Sequence, residues 1–464
     1  MGISQARTIA FDVLRRVETQ RAYADDTLRA ELDAAVRTED AGLATELTLG
    51  VLRWQGLLDF LIERHLAKPT RSLDVEVRIA LRMGIYQLRF LERVPAHAAV
   101  HESVELVKRA RKRSAAPLVN AVLRKVAKET NPQAESRSDI ASLLPKDLPP
   151  AEFLGVLSSH PTWLVERWLR FFGEERTRTL LEANNRVPAL SYYMLDERRR
   201  DDALISLQKV GCAVEPGLLL RDAWILRGGN PAASEAVQKG WVAIQDEASQ
   251  AVAHLLALES DQTVLDLCAA PGGKTLLLAH AVGPQGHVIA ADLHAHRVRA
   301  MAERFETAGI QNVETITLDG TQPLLFERRF DRVLVDAPCS GTGTLARHPE
   351  IRWHLRPEDL SDLHVRQVLV LKNALANLAA RGRLVYSTCS LEPEENELVV
   401  REALGVTLNK FRVVTPRDAL QQVLREGVAP ESLICADGFF RTRTSDHGTD
   451  GFFAAAIERA DEKA

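Results

Sequence analysis

Apolar positions along the chain change their period twice. From residue 5 to about 128 they recur every three or four positions: Ile9, Val13, Leu14 and Val17 mark one stripe, Val104, Leu106 and Val107 another, and Leu118, Val122 and Val126 a third. That spacing puts each set on one helix face. Pro69, Pro95 and Pro117 fall between or at the start of these segments, where the missing backbone donor is tolerated. The pattern predicts an all-α bundle over residues 1–128. Residues 129–150, ETNPQAESRSDIASLLPKDLPP, lose the period and concentrate Pro, Ser and charge, which reads as a linker. Residues 151–243 are mixed and predict a small α+β segment, with two helices meeting near Gly173 and short strands beginning at ALSYYMLD.

From residue 244 to 464 strands and helices alternate. Apolar runs at 263–268, 287–292, 315–319, 332–336 and 383–389 read as strands, and 273–282, 295–308 and 359–379 as helices. Near-continuous apolar strands in βαβ alternation predict a mostly parallel, doubly wound sheet, Rossmann-like, covered on both faces and binding its ligand at the strands' carboxyl ends. Cys268, Asp292, Asp319, Asp336, Cys339 and Cys389 all fall at such ends.

Composition narrows the class. A chain of 464 residues exceeds one ordinary core. No run approaches the roughly 18 apolar residues of a membrane helix, and MGISQARTIAFDVLRR lacks a signal peptide's apolar core, so a cytoplasmic protein is expected. The five cysteines are odd in number and form no CxxC pair, which argues against a disulfide framework or a zinc site and leaves them as thiols. Net charge is −4, but residues 107–128 carry eight Lys or Arg and no acid. That run is either a solvated helix face or a phosphate-facing patch.

The turn after the first strand, DLCAAPGGKT (266–275), tests three ligands. A P-loop needs glycine where Cys268 stands, and a dinucleotide fingerprint needs three glycines where only Gly272 and Gly273 occur. Asp292 nevertheless lies at the offset of a ribose-binding carboxylate. Adenosine without pyrophosphate describes S-adenosylmethionine: the paired glycines would let the backbone approach it closely, amides at the first strand's end would meet its amino-acid portion, Asp292 its ribose and Asp319 its adenine. A helix N-cap is the alternative for each aspartate taken singly.

DAPC at 336–339 and STC at 387–389 each end a strand in a thiol. Carbon 5 of a pyrimidine is a weak nucleophile until a thiolate adds at carbon 6, so covalent catalysis by cysteine is the expected route to methylating it. Asp336 would steady the base, and a second thiol could assist release. Residue spacing leaves open which cysteine attacks. Cys212, Cys268 and Cys435 are read as small hydrophobes.

CAAPGGKT (268–275), DAPCSGTG (336–343), RHPEIRW (347–353) and STCSLEPEENE (387–397), extended by QDEASQ (245–250) and DGFFAA (450–455), resemble the Nop2/Sun/RsmB family of RNA 5-methylcytosine methyltransferases. The bundle is similar to NusB-type RNA-binding domains. The resemblance implies a class I methyltransferase domain and an enzyme that methylates one cytosine of 16S rRNA with S-adenosylmethionine; a monomer without an obligate protein partner is expected. It also implies Cys389 as nucleophile, Cys339 as the releasing group beside Asp336, and cofactor contacts at Cys268, Ala269, Ala270, Pro271, Gly272, Gly273, Lys274, Asp292, Asp319 and Asp336. Attack by Cys339 is the mechanistic alternative, and an RNA-binding assembly factor without catalysis the functional one. The chain departs from the family at Met194-Leu195-Asp196, where an Arg-hydrophobic-Asn strand is usual, and Arg198 to Arg200 offer a substitute RNA contact.

Overall fold

A computed structural model describes residues 2–32, 36–66, 69–129, 137–405 and 410–460, which fall into two compact units. The first comprises Met1–Arg186 and Leu345–Leu355, the second Val187–Thr344 and Arg356–Ala464.

In the first unit, helices Gln5–Gln20, Thr38–Arg53, Val75–Phe90, Ala96–Arg109 and Ala116–Glu129 close around an apolar core. Ile9, Val13, Leu14, Val17, Leu106, Val107, Val122 and Val126 are buried in it, and Val104 packs against it. Leu118 departs from its predicted stripe and is 38% exposed. The buried stripe of its helix is Val119, Val122, Leu123 and Val126, so Leu118 stands one position off that face. Residues 130–136 of the expected linker lie outside the described residues, and Arg137–Ser142 is helical. Helices Pro150–Ser158, Thr162–Phe172 and Glu174–Asn184 follow, the last two divided at Gly173 with φ +77°.

The RHPEIRW segment belongs to this unit. Arg352 has no solvent exposure, and its guanidinium donates to the carbonyls of Arg53 (3.3 Å), Ser159 (3.0 Å), Asn184 (3.2 Å) and Leu345 (3.2 Å) and to Asn185 Oδ1 (2.9 Å). Arg53, Ser159 and Asn184–Asn185 mark the C-terminal ends of three helices. Orphan carbonyls and the negative ends of three helix dipoles thus meet a buried cation. Burial, with the nearby Arg53 charge, pushes its pKa down to about 9.

The second unit holds two sheets. The smaller contains β1 (Leu190–Met194), β2 (Ala213–Pro216), β3 (Ala223–Arg227) and β4 (Val242–Ile244), antiparallel in the order β2-β3-β1-β4. The larger contains β5 (Thr263–Leu267), β6 (His287–Asp292), β7 (Val313–Thr317), β8 (Phe330–Asp336), β9 (Leu378–Thr388), β10 (Phe411–Val414), β11 (Phe440–Arg441) and β12 (Phe453–Arg459). Its order is β10-β12-β9-β8-β5-β6-β7, with β11 paired to β12. The five strands from β9 to β7 run parallel, while β12 pairs antiparallel with both β9 and β10. Helices Gly273–Val282, Ala295–Thr307 and Asp359–Ala376 coincide with the sequence reading to within three residues at either end. Among the described residues no helix is long and apolar enough to cross a membrane.

Candidate active site

The turn after β5 is built around a change of backbone hand. Cys268 takes φ +73° and Gly272 φ +90°, and the Ala270-Pro271 peptide is cis. A Cβ on Gly272 would lie 2.9 Å from the Phe305 ring, so this glycine serves close packing against helix Ala295–Thr307. That differs from the ligand approach expected of both glycines, because only Gly273 opens into the cavity. The Gly272 amide donates to Ala269 O at 2.7 Å, and the Tyr193 hydroxyl of β1 donates to Gly273 O at 3.0 Å.

A cavity of about 180 Å³ lies against this turn. Cys268, Ala269, Ala270, Pro271, Gly273, Lys274 and Asp336 line it, together with Gln245, Ser249, Asp266 and Arg304. Asp266 is buried, and Thr275 Oγ1 donates to its Oδ2 at 2.6 Å while Oδ1 has no protein partner. Burial pushes its carboxyl up to about 7. Gln245 likewise keeps a buried Oε1 without a protein partner. Both residues line the cavity, and each keeps one buried acceptor atom without a protein partner beside it. Burial, and after it the Asp292 charge, push the Cys268 thiol upward, so this cysteine is no thiolate nucleophile.

Asp336 connects the cavity to the thiols. Lys274 Nζ donates to its Oδ2 at 2.7 Å and Ser387 Oγ to its Oδ1 at 2.8 Å, and Lys274 also lies over the Phe452 ring at 4.9 Å. Asp336 and Ser387 are register partners on β8 and β9. Three and two residues further on, Cys339 and Cys389 face each other with their Sγ atoms 3.0 Å apart, both free and partly exposed. The Cys389 amide donates to Cys339 Sγ at 3.3 Å. The hydrogen bond with Cys389, followed by burial, pushes the Cys339 thiol well above its ordinary range. Gly343 locks the pair from outside: its amide donates to Cys389 O at 2.9 Å, and a Cβ there would lie 2.1 Å from Gly451 O.

Asp292 is the last residue of β6 and Asp319 lies two residues past β7, and neither lines this cavity. Asp292 accepts from the His294 amide at 2.9 Å, and Asp319 from the Thr321 amide at 3.0 Å and hydroxyl at 2.7 Å. The Thr321 bonds hold the Asp319 carboxyl below its usual range. Neither aspartate caps a helix directly. Sequence reasoning did not single out Asp266, Arg304 or Tyr193; Gln245 and Ser249 were signalled only by QDEASQ. At the departure after β1, Asp196 accepts from the Arg198 side chain at 2.8 Å, Arg199 pairs with Asp202 at 3.0 Å and Arg200 with Glu197 at 2.7 Å. The arginines proposed as substitute RNA contacts are each engaged by a neighbouring acid. Among the described residues no cluster of His, Cys, Asp or Glu could hold a metal ion.

Comparison with known proteins decides the family. Family models match residues 253–458 as 16S rRNA methyltransferase RsmB/F, residues 4–128 as the NusB family and residues 160–233 as the ferredoxin-like domain of RsmF/B-like methyltransferases. A Bacillus subtilis protein named "Probable ribosomal RNA small subunit methyltransferase B" is 32% identical over 99% of this chain and 100% of its own. Ribosomal RNA small subunit methyltransferase B of Pseudomonas putida is 34% identical over 86% of this chain and 89% of its own. The chain belongs to the RsmB/F family of 16S rRNA methyltransferases. The NusB-like bundle and the Rossmann-like methyltransferase sheet occur together in this chain. The crystal structure of PH0851 shares this fold over 99% of both chains with a TM-score of 0.79 at 24% identity.

Proposed function

We propose that this methyltransferase acts on carbon 5 of one cytosine in 16S rRNA through a covalent adduct at carbon 6, with Cys389 as nucleophile. The observation that carries the reading is the pair of free thiols 3.0 Å apart beside Asp336. S-adenosylmethionine, when bound, supplies the methyl group. Asp266 and Gln245, which line the cavity, are the acceptors that would meet its cationic and donor groups. Gly273 and Lys274 would hold its amino-acid portion, and Asp292 and Asp319 the ribose and base. The 1–128 bundle is read as an RNA-binding domain and 244–464 as the catalytic one.

Cys389 Sγ, as thiolate, forms a bond to carbon 6 and shifts the electron pair of the 5,6 double bond to carbon 5, which becomes the nucleophile for the methyl group. Asp336, held by Lys274 and Ser387, orients the base by accepting from its exocyclic amine. After methylation the carbon 5 proton passes to water, the 5,6 double bond reforms and the Cys389 thiolate leaves. Cys339 stays a neutral thiol at ordinary pH and donates a hydrogen bond to the departing sulfur. Neutralising that charge is the releasing role.

The protein with Cys389→Ser should lose turnover on unmethylated 16S rRNA, and Cys339→Ala should leave an enzyme–RNA adduct that survives a denaturing gel. Full turnover by Cys389→Ser would overturn the assignment, and an adduct trapped by Cys389→Ala would transfer the attack to Cys339.

A further inference from the structure

Behind the two thiols lies a buried carboxylate that the reaction above does not use. Glu395 has no solvent exposure, and no Lys or Arg pairs with it among the described residues. Its charge is met by hydrogen bonds alone: from the Ser340 amide at 2.7 Å, the Ser340 hydroxyl, the Ser390 hydroxyl at 2.5 Å and Gln367 Nε2 at 3.0 Å. The two hydroxyls also meet each other at 3.0 Å. Ser340 and Ser390 directly follow Cys339 and Cys389. One carboxylate therefore ties together the two turns that carry the thiols, although 50 residues separate them along the chain.

The backbone around Glu395 is fixed as firmly. The Tyr386 hydroxyl donates to Glu395 O at 2.7 Å, Thr388 Oγ1 donates to Asn396 Oδ1 at 2.5 Å, and Asn396 Nδ2 donates to Ser390 O at 2.9 Å. Burying an unpaired carboxylate is costly even when it is fully hydrogen-bonded, and an apolar side chain would fill the same space at less cost. The arrangement gains a fixed distance between two sulfurs, which no apolar contact would set as closely.

We propose that Glu395 is a positioning residue of the reaction: by holding Ser340 and Ser390 on one carboxylate it keeps Cys339 Sγ against Cys389 Sγ, and so governs how fast Cys389 leaves the methylated base. The proposal rests on the covalent reading given above and assigns Glu395 no contact with RNA or cofactor.

Full-length Glu395→Ala, Glu395→Gln, Ser340→Ala and Ser390→Ala proteins are compared with Cys339→Ala for turnover on unmethylated 16S rRNA, for adduct on denaturing gels, and for S-adenosylmethionine binding by equilibrium dialysis. Freeing the turns by about 1 Å costs on the order of 100-fold in rate, so Glu395→Ala should turn over that much more slowly and accumulate adduct as Cys339→Ala does, with cofactor binding unchanged. Glutamine still accepts from Ser340 and Gln367 and can donate to the two hydroxyls, so Glu395→Gln should recover most of the rate. Each serine variant should lengthen the life of the adduct, which keeps the test open should Glu395→Ala fail to fold. Parental turnover and no adduct in Glu395→Ala, while Cys339→Ala traps one, would overturn the proposal. So would a glutamine variant as slow as alanine, or cofactor binding lost in step with turnover in the serine variants. Absence of adduct in every variant, Cys339→Ala included, would instead strike the covalent reading and take this proposal with it.

Discussion

Asp266 shows how much a single buried side chain can report. Its carboxyl ionises near pH 4 in an unfolded chain and about 7 in the fold, where burial is the main cause. Between those values the folded protein keeps a proton that the unfolded chain has lost, so this group lowers stability progressively as pH rises from about 4 to 7 and by a constant amount above that. Asp266→Asn retains an acceptor for Thr275 and removes the titration. The variant should gain stability relative to the parent across that window, on the order of a few kcal/mol by pH 8, as measured by denaturant unfolding at a series of pH values. An unchanged difference between pH 4 and 8 would show that Asp266 does not titrate with folding. Nothing in the sequence singles this residue out. Asp266 lies inside an apolar run where one carboxylate reads as a strand residue, and only the closure of the sheet above it reveals its isolation. Glu395 is hidden for the opposite reason, since PEENE looks like a solvated acid cluster. Its one signal is that two cysteines are each followed by serine and that an acid lies six residues past the second.

At the scale of elements, the parallel strands β5, β6 and β8 were legible because strands buried on both faces are apolar runs ended by turn residues. The read boundary of β7 falls two residues late, since Asp319 continues its alternation beyond the last pairing at Thr317. The antiparallel edge carries a weak sequence signal: β12 is FAAAIER, whose alanines have little strand preference, and DGFFAA stands out only as part of a motif. RHPEIRW stands in sequence beside the catalytic motifs, whereas Arg352 secures three helix ends of the first unit. Arg352→Met should therefore destabilise those ends, leaving their carbonyls without a donor, by on the order of 3 kcal/mol. Hydrogen exchange should quicken at the C-terminal turns of Thr38–Arg53 and Glu174–Asn184 while β5 and β8 keep their protection. Equal loss in both units would refute this local account. Gly343 makes the corresponding demand in the second unit. Gly343→Ala cannot be accommodated against Gly451 O without moving the Cys389 turn, so its adduct formation should fall while the first unit's protection is unaffected.

For the whole molecule the question is how a chain of net charge −4 engages a polyanion. The structure divides the basic run of residues 107–128 into two classes. Lys108 pairs with Glu105 at 2.7 Å, Arg109 with Asp12 at 2.8 Å and Lys112 with Asp74 at 3.0 Å. Arg111, Arg113, Arg124, Lys125 and Lys128 are exposed and carry no ion pair among the described residues. Arg124, Lys125 and Lys128 share one face of helix Ala116–Glu129, opposite its buried stripe, and Arg124 and Lys128 stand one turn apart, about 6 Å along the axis. That is close to the spacing of successive phosphates on a strand, so these cations suit a backbone contact that reads no sequence. Neutralising them as Arg124→Gln, Lys125→Gln and Lys128→Gln removes up to three phosphate contacts. On single-stranded RNA each contact adds about 0.7 to the slope of log affinity against log salt. The triple variant should bind 16S rRNA more weakly at low salt and show a slope smaller by about 2, with kcat at saturating RNA unchanged because the thiols and their turns are untouched. A parental slope would return this face to the status of solvated surface, and a lost kcat with an unaltered slope would mean that the substitutions act through the fold and not through charge.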